Sequence, residues 1–94
     1  MSNKKSIEEV KRTKDEFQEE FGFFREGNPY SEWVNMCGIS TVGIKDKNAP
    51  DDQKKNFCIT VGLRTRHLPA GLSIPQEYHG VRVFVEEIGE IRFA

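Results

Sequence analysis

Gly80-Val-Arg-Val-Phe-Val-Glu-Glu-Ile-Gly-Glu-Ile-Arg-Phe-Ala94 is the stretch on which the reading of the fold turns. Apolar and polar residues alternate on both sides of Gly89, the pattern of a hairpin with one buried face. A three-residue loop of Glu87, Ile88 and Gly89, with the glycine at the left-handed bulge position, sets Val85 opposite Ile91 and Val83 opposite Phe93. Val81, Val83, Val85, Ile91 and Phe93 then share one face, with Glu86 and Arg92 on the other. A two-residue Ile88-Gly89 loop would instead set Val85 against Arg92. One residue of slip inverts a strand's whole apolar set, so the first register is preferred.

Working back from that hairpin, Phe57, Ile59, Val61 and Leu63 alternate with Cys58, Thr60 and Gly62, which predicts a strand with one apolar face. Residues 34–44 read as another strand, and Gly38 and Gly43 within it signal a bulge or a close backbone approach. Residues 45–56 are charged, interrupted by Pro50 and aperiodic, and read as a mobile loop between two antiparallel strands. A hairpin centred on that loop places Cys37 opposite a residue near Arg64. Residues 64–78 are irregular and punctuated by Leu68-Pro69, Gly71 and Ile74-Pro75, since a residue before proline is held extended. Pro75-Gln-Glu-Tyr78 fits one helical turn with proline at its first position.

At the other end, residues 1–5 read as a frayed tail. Ser6 and Glu9 form a capping box, and Ile7, Val10, Phe17, Phe21 and Phe24 recur at helical spacing, predicting an amphipathic helix over residues 6–22 that Gly22 ends. Lys14 falls in the same arc, its stem lying over the sheet and its ammonium reaching water. The connector after it carries Phe23, Phe24, Tyr30 and Trp33, rings expected to plug the end of the core or to serve a partner.

These elements predict a single α+β domain over residues 1–94. Its N-terminal amphipathic helix packs on one face of a mainly antiparallel sheet, 34–94, of about four strands. The expected core is Ile7, Val10, Phe17, Phe21, Ile59, Val61, Leu63, Val81, Val83, Val85, Ile91 and Phe93.

Composition narrows the classes of function. The formal net charge is -1 with both signs mixed along the chain, unlike the basic stripe of a dedicated nucleic-acid binder. The N-terminus lacks the apolar run of a secretory signal, and no stretch approaches the roughly 20 apolar residues of a membrane span. A cytoplasmic protein with reduced thiols is expected.

Residues suited to catalysis are few. Cys37 or Cys58 with His67 or His79 is the only cysteine–histidine pairing the chain offers, and mid-strand thiols usually behave as small buried hydrophobes. The same four residues match no zinc spacing, and no cofactor is implied. Gly38-Ile-Ser-Thr-Val-Gly43 lacks the lysine and helix start of a phosphate loop. Glu86, Glu87 and Glu90 read as a solvated hairpin tip. Arg64, Arg66 and His67, with Arg82 near, form the one basic cluster, able to touch an anion or an RNA backbone.

Across residues 34–94 the order of short motifs resembles the small β-rich accessory module found N-terminal to bacterial trypsin-like peptidase domains. The matching pieces are Cys37-Gly-Ile and Val42-Gly-Ile44, a charged loop, Ile59-Thr-Val-Gly-Leu63, Leu68-Pro69, Ile74-Pro75, Gly80-Val-Arg-Val83 and Glu87-Ile-Gly-Glu-Ile91. Arg82 stands where that family commonly has proline, and the chain stops about where a peptidase domain would begin. The resemblance implies a stand-alone relative of a non-catalytic segment and brings no catalytic residues.

The expected function is therefore a small non-enzymatic protein-interaction or regulatory domain, whose exposed edge recruits a strand from an unidentified protein partner or in a homodimer. Tyr30, Trp33, Phe84, Arg64, Arg66 and Arg82 are the candidate contact residues, on an exposed sheet edge or on the surface around Phe84 and the aromatic connector. The alternative is a weak nucleic-acid or anion binder through Arg64, Arg66 and Arg82.

Overall fold

A computed structural model describes residues 5–65 and 68–88. The described residues form one long helix, two short helical turns and a four-stranded mixed sheet. Helix α1, Ile7–Phe21, starts where the sequence says it should: the Ser6 hydroxyl accepts the Glu9 N–H at 3.2 Å and meets the Glu9 carboxylate at 3.5 Å. It ends at Gly22, whose φ of 64° closes the last turn through an N–H bond to the Gln18 carbonyl. A β-carbon at Gly22 would lie 2.5 Å from Asn28 Nδ2, so the site is closed to side chains for space as well as conformation.

Val10 and Phe17 are buried in one cluster with Phe23, Val34, Ile59, Val61, Leu63, Val81 and Val83. Burying a ring the size of Phe17 contributes about 2–3 kcal/mol. Its neighbours are rings: Phe21 at 4.9 Å, Phe23 at 5.3 Å and Tyr78 at 4.8 Å between centroids. Lys14 is mostly covered, and its ammonium reaches Asp15 at 2.8 Å. Ile7 departs from the expected core and is 50% exposed. It lies in the first turn, at the end of α1 away from the packed rings. Phe24, beyond the glycine stop, turns out to solvent as well.

The connector forms a short 3₁₀ turn, Pro29–Glu32, capped by the Asn28 side chain on the Tyr30 N–H. Phe23 plugs the core fully, whereas Tyr30 and Trp33 are half-buried.

Strands β1, Val34–Thr41, and β2, Phe57–Leu63, pair antiparallel, as expected, but in another register. Cys37 faces Val61 and Ser40 faces Cys58, with an irregularity between Val34 and Met36. The expected strand to residue 44 stops at Thr41, because Val42–Lys45 form one helical turn, α2. The Val42 and Gly43 N–H groups donate to the carbonyls of Asn56 and Lys54. Gly43 is the close approach: a β-carbon there would sit 2.9 Å from Lys54 Cβ. That asymmetric connection offsets the pairing from one centred on the loop. The rest of the 45–56 segment folds back in hydrogen-bonded turns and buries Ala49 with Val42 and Cys58 in a second cluster on the opposite face of the sheet.

The mainly antiparallel arrangement is the larger correction. Strand β4, Val81–Glu87, pairs parallel with β2, setting Ile59 beside Val83 and Val61 beside Val85. The order is β1-β2-β4-β3, in which β3 is only Glu77–Tyr78. The helical turn expected at Pro75–Tyr78 is thus replaced by β3. The reason lies one step further on: His79 and Gly80 both have positive φ, 49° and 81°, the two-residue turn that matches strand twist. That turn holds Tyr78 opposite Val81.

The expected return strand with Ile91 and Phe93 lies outside the described residues. Its loop is corrected at Glu87 and Ile88, however. Glu87 still belongs to β4, beside Leu63, and the Ile88 N–H donates to the Leu63 carbonyl at 2.9 Å. The Ile88 side chain lies over Gly62, where a β-carbon would meet its Cδ1 at 2.5 Å. Val81 and Val83 are buried, but Val85 is 42% exposed, at the end of β4 reached by neither β3 nor Val10 and Phe17 of α1.

Candidate functional site

The two thiols occupy opposite faces of the sheet, Cys37 level with Val61 and Cys58 level with Ser40. Both are free. Burial pushes the Cys37 thiol up to about 11, against the pull of Lys14 and with a smaller push from Asp15. Burial also raises Cys58, opposed by a backbone hydrogen bond at Ser40 and by Lys45 and Arg82. Each thiol is held protonated at neutral pH, the reverse of what a nucleophile requires. His79 stands in the β3–β4 turn against the Tyr78 ring, and His67 lies outside the described residues. Among the described residues no group of three or more histidine, cysteine, aspartate or glutamate side chains could hold a metal ion. No described helix is long and apolar enough to cross a membrane.

Arg82 does not come near Arg64. Ile59 is level with Val83 on parallel strands, so Arg82 stands beside Cys58 and Arg64 beside Ile88. Six residues of strand separate them, roughly 20 Å at about 3.3 Å per residue. Arg82 is also engaged: its guanidinium lies 4.5 Å from the Phe84 ring centre and 3.8 Å from Asp46. Arg64 is exposed, with its backbone N–H on the Trp33 carbonyl. Arg66 lies outside the described residues.

Phe84 rests half-buried on the second cluster, under Arg82. Beside it Glu86 is no solvated tip residue. Its carboxylate takes the Lys45 ammonium at 2.6 Å and the Thr60 hydroxyl at 3.4 Å. Parallel pairing sets Glu86 beside Gly62, and the α2 turn brings Lys45 to meet it, a juxtaposition no local pattern announces.

Tyr30 is fixed rather than free, its hydroxyl donating to the Ser73 carbonyl at 2.9 Å and accepting the Ser73 N–H at 3.2 Å. Trp33 follows the 3₁₀ turn and leads directly into β1. Two surfaces then stand out. One is the outer edge of β1: eight residues, Val-Asn-Met-Cys-Gly-Ile-Ser-Thr, without a charge or a proline. Among the described residues β1 pairs only with β2. The other is a groove of about 450 Å³ between the end of α1 and β3, lined by Glu20, Phe21, Tyr30, Pro75, Glu77 and Tyr78. Tyr78 is pushed up to about 12, first by its hydrogen bond to Glu20, then by burial and by the charges of Glu20 and Glu16. Helical periodicity assigns Phe21 to the core; only the arrival of β3 brings Glu77 and Tyr78 to Glu20 and Phe21 in one concavity.

Compared with known proteins, the chain matches no family model, no curated protein and no solved structure.

Proposed function

We propose that the chain is a non-enzymatic interaction or regulatory domain that adds a strand to the outer edge of β1, from a protein partner or from a second copy of itself. The observation that carries this reading is the character of that edge. Folded proteins normally guard such strands with lysine, proline, a bulge or extreme shortness. Residues 36–41 use none of these, and Trp33 stands at the mouth of the strand as a ring able to anchor a partner. Backbone groups supply the affinity in strand addition, and alternate side chains supply the choice of partner. The resemblance of residues 34–94 to a peptidase-associated accessory module agrees with a non-catalytic role.

Gly38→Lys tests the proposal. Its β-carbon would approach only Thr60 Cγ2, at 3.9 Å, so the charge enters mid-edge without a clash. The variant is expected to keep its fold while losing self-association in sedimentation and its partner in nuclease-treated pull-downs. Association undiminished by Gly38→Lys, with the fold intact, would sink the edge reading.

A further inference from the structure

We infer that the groove between the end of α1 and β3 receives an arginine side chain presented by a partner polypeptide. Three aromatic rings and two carboxylates converge there. Phe21 and Tyr30 stand nearly edge-to-face, with centroids 5.7 Å apart and planes at 69°. Tyr78 is backed by Phe17 at 4.8 Å, and Tyr30 is locked by its paired bonds to Ser73. Tyr30 and Tyr78 are therefore held by contacts outside the groove, and a guest need not order them.

Charge selects the guest. Glu20 and Glu77 are the two carboxylates that line the groove beside its rings. Neither makes an ion pair among the described residues, and Glu20 already accepts the Tyr78 hydroxyl, which leaves Glu77 as the freer acceptor. Aromatic faces attract a cation, and carboxylates at the rim accept N–H bonds from it. A quaternary ammonium has no N–H to give, and a lysine ammonium holds its water strongly. The guanidinium is planar, weakly hydrated and rich in donors, and meets rings and carboxylates together.

This site does not depend on the β1 edge, and a short probe separates the two. The full chain would be titrated with acetyl-Gly-Arg-Gly-amide and followed by amide chemical shifts. The lysine peptide and the neutral citrulline peptide serve as controls. Saturable shifts are expected at Phe21, Tyr30, Glu77 and Tyr78, with no change at residues 36–41. Citrulline should bind roughly tenfold more weakly, since both the cation–ring and the ion-pair contributions go. The exposed change Glu77→Gln should weaken the arginine peptide about two- to fivefold and leave citrulline unaffected. Equal binding of arginine and citrulline, equal binding of lysine, or shifts that never saturate would each overturn the assignment. So would a folded Glu77→Gln protein with unchanged affinity.

Discussion

Strand β1, at one edge of the sheet, runs eight residues from Val34 to Thr41 without a charge or a proline. At the other side β3 is a two-residue strand, and β4 continues beyond it through Glu86 and Glu87. The second arrangement is how a folded protein blunts an edge, by brevity and by charge. The first is how a surface accepts another strand. Among the described residues, then, the β3 side of the sheet is blunted and residues 36–41 of β1 are not.

The most severe way to break that comparison is Val83→Asp. Val83 is 6% exposed, beside Ile59 and in the main cluster. An unpaired carboxylate there should cost at least about 4 kcal/mol and unfold a domain of this size. Loss of the cooperative melt by circular dichroism is the expected result; a normal melt would disprove the burial of β4. A smaller effect is expected of Gly62→Val, which drives a side chain into Ile88 and Met36 between the two edges. About 1–3 kcal/mol of stability should be lost in urea denaturation, with association through β1 impaired by the displacement of Met36.

Glu86→Gln probes the charged side alone. It removes the partner of Lys45 from a site where the glutamate side chain is 40% exposed. After allowance for solvent screening, about 0.5–1 kcal/mol should be lost, without change in association. An equal loss of association would mean that β4, not β1, is the working edge.

The smallest effect concerns alkaline pH and the Cys37 thiol, raised from its ordinary value to about 11. Between the ordinary thiol range and that value the unfolded chain has released a proton that the folded chain retains. The stability this group contributes is thus fully present below the ordinary range and is lost as pH rises toward 11. Cys37→Ala should decline less steeply than the parent in melts taken across that window. Iodoacetamide at neutral pH should label the folded parent slowly; fast labelling would contradict the burial.

Much of α1 was legible because its determinants are local. The Ser6 cap, the Gly22 stop and the recurrence of Val10 and Phe17 each act on residues within a turn or two along the chain. The alternation of β2 was equally readable, although its second face, at Cys58, proved covered too, by Phe84 and by Val42 and Ala49 of the 42–56 segment. The β3–β4 turn escaped because His79-Gly80 does the work more often done by Asn-Gly, and Pro75 ahead of it favours a helical start on local grounds. Of the proposed contacts, Arg64 and Arg82 are close in sequence pattern but not in space, while Glu20 and Glu77 are distant in sequence and share a groove.

What the sequence by itself determined was the set of elements that answer to nearby residues: a capped helix, two apolar-alternating strands and a proline-punctuated connection between them. What only the tertiary structure decided was how those strands meet. Whether β4 lies parallel or antiparallel to β2 changes no local propensity, because each strand presents the same apolar face either way. It is settled by where the 64–80 connection can lay Leu68, Ile74 and Tyr78 against the core, and by the short β3 hairpin that turns the chain into β4. That choice separates the arginines, pairs Glu86 with Lys45, closes the groove at Tyr78 and leaves β1 at an edge.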